Sequence, residues 1–124
     1  MGRRNRQRQR QADAGPPGKL AAPTSTYVDP EAGELELRGS LSPAARRQYA
    51  QTLSGGLDQE DAWQRATELL FERLAVSWTI AGLRLDRQRE LIGRYRMAGA
   101  QERRFVRDSL RAHLTEHFPE MKAP

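Results

Sequence analysis

The prediction of the fold depends mainly on residues 58–82, DQEDAWQRATELLFERLAVSWTIAG. Asp58 has the chemistry of a helix cap, and acids follow it in the first turn, where the helix dipole favours negative charge. Apolar residues recur at helical spacing and, in the second half, cover more than one face. The pattern predicts a central helix that runs to about Ile80, is buried nearly all round in its second half, and ends at Gly82. Its apolar residues are Trp63, Ala66, Leu69, Leu70, Phe71, Leu74, Val76, Trp78 and Ile80.

Three further helices are predicted around this one. The first follows Ser42, a cap that precedes a first-turn proline, and stops at the glycine pair 55–56. Another, shorter helix is expected to be capped by Asp86. The last begins near Ala100, carries apolar residues at helical spacing and ends at Phe118, which a proline follows.

Residues 27–41 predict a β-hairpin ahead of the helices. The segment DPEAG, residues 29–33, has turn chemistry, because proline sets one φ angle and glycine permits a positive one. The segment ELELR, residues 34–38, alternates polar and apolar residues as a half-buried strand does. A lone hairpin is marginal in water, so this one must pack on the helices or expose an edge to another chain. The predicted protein-binding residues are Tyr27, Leu35, Leu37 and Trp63.

Together these elements predict a mainly α fold. An N-terminal β-hairpin, residues 27–41, is followed by a three- to four-helix bundle, and residues 27–124 form a single helical domain. Residues 1–26 are predicted to be a disordered Arg-rich tail, because they hold almost no apolar residue whose burial could offset the entropy of ordering them. The tail carries the whole of the chain's net charge of +5, because basic and acidic side chains balance over residues 27–124.

Composition excludes several classes of protein. The chain has no cysteine, so disulfides and thiolate metal sites are excluded. No run approaches the roughly 18 apolar residues of a membrane span, and no apolar run follows the basic N-terminus as in a signal peptide. We therefore expect an intracellular protein without membrane association. The sequence contains neither a nucleophile elbow nor a phosphate loop, so we predict no enzyme, no catalytic residue and no cofactor.

The segment HLTEH, residues 113–117, matches a zinc-peptidase pattern, since two histidines one helical turn apart can hold one metal ion. Such a site needs a third ligand, and the candidate acid Glu120 lies beyond the helix end. We interpret the two histidines as solvated side chains near a helix C-terminus, where cationic groups suit the dipole. No metal site is predicted.

Arginine-rich segments support an alternative role in nucleic-acid binding, because arginines displace counterions from phosphates. The last two helices, joined by a short glycine-containing turn, have a helix-turn-helix outline. Interleaved acids and the lack of aromatic residues in the tail weigh against this role. The residues that would carry it are Arg3, Arg4, Arg6, Arg8 and Arg10 of the tail with Arg103, Arg104, Arg107 and Arg111 of the last helix.

Four segments of the chain resemble a small family of actinobacterial-phage proteins. They are AWQRA to LAVSWTIAG within residues 62–82, ELIGRYRMA at 90–98, ERR at 102–104 and FPE at 118–120. The family is encoded in the tail-gene region of long-tailed phages, in the position of tail assembly chaperones. The hairpin that leads into the segment LSP, residues 41–43, is similar too, so the resemblance spans about residues 27–120. It implies a non-enzymatic protein of the bacterial host cytoplasm that binds or coats the tape-measure protein while the tail tube polymerises.

The folded part also has a charge asymmetry. Acids outnumber arginines over residues 27–72, and arginines outnumber acids over residues 84–111. Such halves can pair within one domain or between copies, so self-association stays open. The sequence therefore predicts an assembly or interaction protein with a tape-measure-type helical partner. The alternative is a small nucleic-acid-binding protein that uses the Arg-rich tail and the last helix.

Overall fold

The computed structural model describes residues 23–56 and 58–124 of the chain. The predicted Arg-rich tail lies, up to residue 22, outside the described residues, whereas residues 24–26 belong to the first strand. The described part contains eight elements: β1 (Thr24–Asp29), β2 (Gly33–Arg38), α1 (Pro43–Ser54), α2 (Gln59–Leu74), β3 (Ala75–Ile80), β4 (Leu83–Leu85), α3 (Gln88–Arg96) and α4 (Ala100–His117).

The prediction of a mainly α fold is wrong, because the four strands form one antiparallel sheet in the order β1-β2-β3-β4. The central helix ends at Leu74, and the last six residues of its predicted range, Ala75–Ile80, form strand β3. Val76, Thr79 and Ile80 are β-branched and favour a strand. A buried strand and a buried helix segment both appear as continuous apolar runs, so periodicity alone does not separate them.

A two-residue turn at Ala81 and Gly82 joins β3 to β4. Both residues have positive φ angles, 52° and 81°. Turns of this kind match the twist of a two-stranded hairpin, and glycine adopts them without strain. The glycine that was expected to end a helix therefore reverses a strand instead.

The N-terminal hairpin spans β1 and β2, residues 24–38, rather than the predicted 27–41. Its turn lies where the sequence indicated, and the Asp29 carboxylate accepts hydrogen bonds from the backbone N–H groups of Glu31 and Ala32. Strand β2 pairs on its other side with β3, where Leu35 lies opposite Trp78. The edges of the sheet are therefore β1 and β4, and β2 offers no edge to another chain.

Caps explain where the helices begin. The Ser42 side chain accepts a hydrogen bond from the Ala45 N–H, and Asp58 accepts one from the Glu60 N–H, so both predicted caps are confirmed.

The predicted Asp86 cap is wrong. Helix α3 begins after Arg87 without a side-chain cap, and Asp86 pairs with Arg84 instead.

Helices α2, α3 and α4 contact the sheet, α1 packs on α2, and the core lies between them. The Phe71 ring of α2 lies edge-on to Trp78 of β3, with ring centroids 5.7 Å apart, and stacks on Tyr95 of α3 at 5.0 Å. Burial of each large apolar side chain contributes about 1.5–3 kcal/mol to folding. Among the described residues, no helix is long and apolar enough to cross a membrane.

Candidate interaction groove between helices α2 and α4

A surface groove runs between α2 and α4, hereafter the α2/α4 groove. It consists of two adjoining cavities of about 210 Å³ each, which share Gln64, Thr67 and Arg107 in their walls. The arginine end is completed by Tyr95, Ala100, Arg103 and Arg104. The tryptophan end is completed by Glu60, Trp63, Arg111 and Pro124.

The sequence of α4 explains why its arginines lie together. Val106, Leu110 and Leu114 are buried at helical spacing and attach one side of α4 to the core. Arg103, Arg104, Arg107 and Arg111 fall outside that stripe and are exposed. The core residues thus fix the helix in an orientation that sets its arginines along the groove.

Arg103 is held in place by its neighbours. Its guanidinium lies over the Tyr95 ring, 5.0 Å from the centroid. Its Nε donates to the Ala98 carbonyl at 3.1 Å, and its Nη2 donates to the Arg96 carbonyl at 2.9 Å. Burial raises the pKa of Tyr95, so the ring stays neutral beneath the cation.

Arg104 and Arg107 have no hydrogen-bond or ion-pair partner among the described residues. Arg111, one turn further along, donates from Nε to the Pro124 carbonyl oxygen at 2.9 Å. The groove therefore contains one immobilised arginine, two that are available to a ligand, and one that contacts Pro124.

Trp63 projects from the first turns of α2 and is 40% exposed, whereas Trp78 is fully buried. A half-exposed tryptophan beside arginines has the composition of an interface hot spot, because both residue types are enriched at the centres of binding surfaces. Trp63 is the one predicted protein-binding residue that the structure leaves accessible on a helix surface.

The other three predicted protein-binding residues are placed differently. Leu35 and Leu37 are 0% exposed and belong to the core, so a partner cannot contact them. Tyr27 is half-buried, and its hydroxyl bonds to His113 of α4. Of the predicted nucleic-acid-binding residues, the four on α4 lie beside Trp63 in one groove, while the five arginines of residues 1–22 lie outside the described part.

His113 is a buried residue whose role the sequence did not reveal. It is 0% exposed, and its Nε2 lies 2.8 Å from the Arg38 carbonyl oxygen. A carbonyl oxygen only accepts, so Nε2 carries the proton and Nδ1 accepts from the Tyr27 hydroxyl at 2.9 Å. Burial lowers the pKa of His113, which favours the neutral ring.

The interpretation of both histidines as solvated side chains is therefore wrong for His113. A signal was present, because His113 follows Leu110 by three residues and Val106 by seven, on the core stripe of α4. His117 lies one turn further, with its Nε2 3.0 Å from the Ser25 hydroxyl. No group of three or more metal-ligating side chains is found within residues 23–56 and 58–124.

The chain matches no known family model, and no curated protein and no solved structure is significantly similar to it.

Proposed function

We propose that this chain is a non-enzymatic interaction protein that binds a helical protein partner in the α2/α4 groove. The observation that carries the proposal is the presence of exposed Trp63 and the α4 arginines on one groove. Tryptophan and arginine contribute most of the binding energy at many protein interfaces, since each offers a large contact area together with polar donors.

The length of the groove supports a helical partner. Arg103 and Arg111 are two helical turns apart, about 12 Å along the axis of α4. A helix laid in such a groove contacts it through residues at positions i, i+3 or i+4, and i+7, which repeat at the same interval. A partner helix along α4 would thus meet a guanidinium at each turn.

The resemblance of residues 27–120 to tail assembly chaperones suggests the partner's identity. We propose a tape-measure-type protein of a long-tailed phage, bound in the cytoplasm of the bacterial host before tail assembly is complete. A protein of this class must hold a long amphipathic helix through many weak contacts, and a shallow groove with mixed aromatic and cationic walls suits that task.

Nucleic-acid binding is a second candidate function. Arg104 and Arg107 favour it, because both are exposed and have no partner within the described residues. Glu60 opposes it, since a phosphate backbone that follows the groove would meet this carboxylate at the tryptophan end. A protein partner can place a neutral or basic side chain there.

Co-purification tests the proposal. The tagged chain, its Trp63→Ala variant and its Met97→Ala variant are recovered from cells of the source organism at moderate salt, with and without nuclease. Met97 is the matched control, because it is 83% exposed and does not line the groove. Circular dichroism verifies that all three proteins are folded.

We expect a long helical protein that survives nuclease, that is retained by Met97→Ala and that is lost with Trp63→Ala. Recovery of DNA or RNA, with any protein released by nuclease, would overturn the proposal in favour of the second candidate. Equal recovery with both variants would show that the α2/α4 groove is not the docking surface.

A further inference from the structure

We infer that the segment bound in the α2/α4 groove is an acidic amphipathic helix. Its carboxylates contact Arg103, Arg104 and Arg107, and an apolar side chain packs on Trp63. This inference rests on the proposed function and adds the chemistry of the partner.

The arginine end of the groove has an uncompensated positive charge. Three arginines line it, and none of the described residues in its wall is acidic. A ligand at this end must therefore carry negative charge to be favourable.

Two acids close to this end, Glu68 of α2 and Glu102 of α4, are already paired with other residues, and the exposed Asp108 of α4 does not line the cavity. Glu102 accepts from Arg94 Nη2 at 2.6 Å and from the Gly99 N–H at 3.2 Å, and the bond from Arg94 lowers the pKa of Glu102. Glu68 accepts from Arg96 Nε at 2.8 Å. Both acids thus neutralise arginines of α3, and the arginines of α4 are left for a partner.

Arg103 reduces the cost of binding. Because the Tyr95 ring and two backbone carbonyls already fix its side chain, little rotamer entropy is lost when a carboxylate binds to it. The Nε and one Nη2 hydrogen of Arg103 are used in these bonds, and the other edge of the planar guanidinium, formed by Nη1 and Nη2, can still donate to the two oxygens of a carboxylate. Arg104 and Arg107 can move towards the same ligand, since no described residue holds them.

The tryptophan end gives the bound helix a direction. Glu60 offsets part of the positive charge of Arg107 and Arg111 there, so this end favours an acidic ligand less than the arginine end does. The partner is therefore expected to carry carboxylates over about two turns beside the arginine end. An apolar residue follows at Trp63, with no acid opposite Glu60.

Charge arrangement also favours an acidic helix over nucleic acid. A phosphate backbone is negatively charged along its whole length, whereas the groove has three arginines and, among the described residues, no acid at one end and Glu60 beside Arg107 and Arg111 at the other. Acidic residues on a helix can be confined to the turns that meet the arginines.

Binding of a synthetic peptide provides the test. The probe is a labelled helical peptide with glutamates one turn apart followed by leucine, and its control has glutamine in place of each glutamate. Fluorescence anisotropy measures Kd for the full chain, for Arg104→Glu with Arg107→Glu, and for Arg87→Glu with Arg89→Glu. The last pair is the matched control, because both arginines are exposed, change the net charge equally and do not line the groove.

We expect the groove double variant to weaken binding of the glutamate peptide about tenfold or more, and the control pair to weaken it by less than about twofold. The glutamine peptide should bind the unmodified chain about tenfold less tightly. Equal binding of the two peptides, or equal losses from the two double variants, would overturn the inference.

Two further outcomes separate this inference from the proposed function. If the co-purified partner depends on Trp63 but binds equally well to the Arg104→Glu, Arg107→Glu variant, the acidic-helix inference fails and the docking groove stands. If a duplex DNA oligonucleotide binds more tightly than the glutamate peptide and loses affinity in that variant, the acidic-helix inference and the proposed protein partner are both wrong. The groove would then be a nucleic-acid-binding site.

Discussion

Helix α4 has two sides that place polar groups in opposite situations. On the sheet side, His113 is fully buried, and both of its ring nitrogens have partners, on Tyr27 and on the Arg38 backbone. On the groove side, Arg104 and Arg107 are exposed and have no partner among the described residues. A buried polar group needs a hydrogen-bond partner within the fold, whereas an exposed cation is hydrated and can bind a ligand. We therefore expect His113 to contribute to stability and propose that Arg104 and Arg107 contribute to binding.

The largest change in the free energy of unfolding is expected from a substitution in the buried apolar stripe of α4. Leu110→Ala removes a fully buried side chain, and we expect the free energy of unfolding to fall by about 2–5 kcal/mol. Urea denaturation followed by circular dichroism measures this change. A loss below about 1 kcal/mol would mean that α4 does not pack on the core as described.

A smaller effect is expected at the buried histidine. His113→Leu keeps a similar volume but leaves the Tyr27 hydroxyl and the Arg38 carbonyl without their partner, at a cost of about 1–3 kcal/mol. Adding Tyr27→Phe removes one of these stranded groups and should recover part of the loss. If the double variant is as unstable as the sum of the single ones, Tyr27 and His113 do not interact.

The same histidine should make stability depend on pH. Because burial lowers its pKa, the unfolded chain binds a proton on His113 more readily than the folded chain does. Stability is therefore full above about pH 6.5, the ordinary histidine pKa, and falls as the pH drops below it. Glu102, with its lowered pKa, loses its contribution further down, below about pH 4.5.

Urea midpoints at pH 7.5 and 5.5 test this effect. The stability difference between the unmodified chain and His113→Leu should narrow at the lower pH, since leucine takes up no proton. A difference that stays constant or widens would contradict a neutral, buried His113.

The smallest effect on stability is expected on the groove side. Replacing Arg104 and Arg107 together by alanine should change the free energy of unfolding by no more than about 0.5 kcal/mol, because neither side chain has a partner within the described fold. The same variant should bind the glutamate peptide about tenfold less tightly. A destabilisation above about 1 kcal/mol would show that these arginines support the fold and would remove the contrast between the two sides.

Local chemistry predicted part of the fold. Ser42 and Asp58 indicate where α1 and α2 begin, because their side chains accept hydrogen bonds from backbone N–H groups of the first turn. Such caps involve only residues that are close in sequence. The turn at Asp29 was predictable for the same reason. These features depend on neighbours in sequence rather than on the rest of the fold.

The sheet was not predicted, because its evidence lies in distant residues. β3 pairs with β2 across the two intervening helices, and its apolar run has no period that separates a buried strand from a buried helix. The β-branched Val76, Thr79 and Ile80, followed by the Ala81-Gly82 pair, were the available signal.

The residues of the α2/α4 groove could not be grouped from the sequence either, because they are distant from one another along the chain. Trp63 and the α4 arginines are some 40 residues apart in the sequence, and each was assigned to a different partner until the fold brought them together. His113 could have been recognised from its place on the apolar stripe, but its two hydrogen-bond partners come from β1 and β2.

We propose that the partner binds in the α2/α4 groove. The indole signals of the two tryptophans of the chain can test this, because one tryptophan lies in the groove and the other in the core. The indole N–H of Trp78 donates to the Ala32 carbonyl at 2.8 Å inside the core, whereas Trp63 is exposed in the groove. Indole ¹H–¹⁵N signals are recorded while the glutamate peptide is added. We expect the Trp63 signal to shift until binding is saturated and the Trp78 signal to stay in place. Saturable binding of the peptide that leaves the Trp63 signal unmoved would contradict the account.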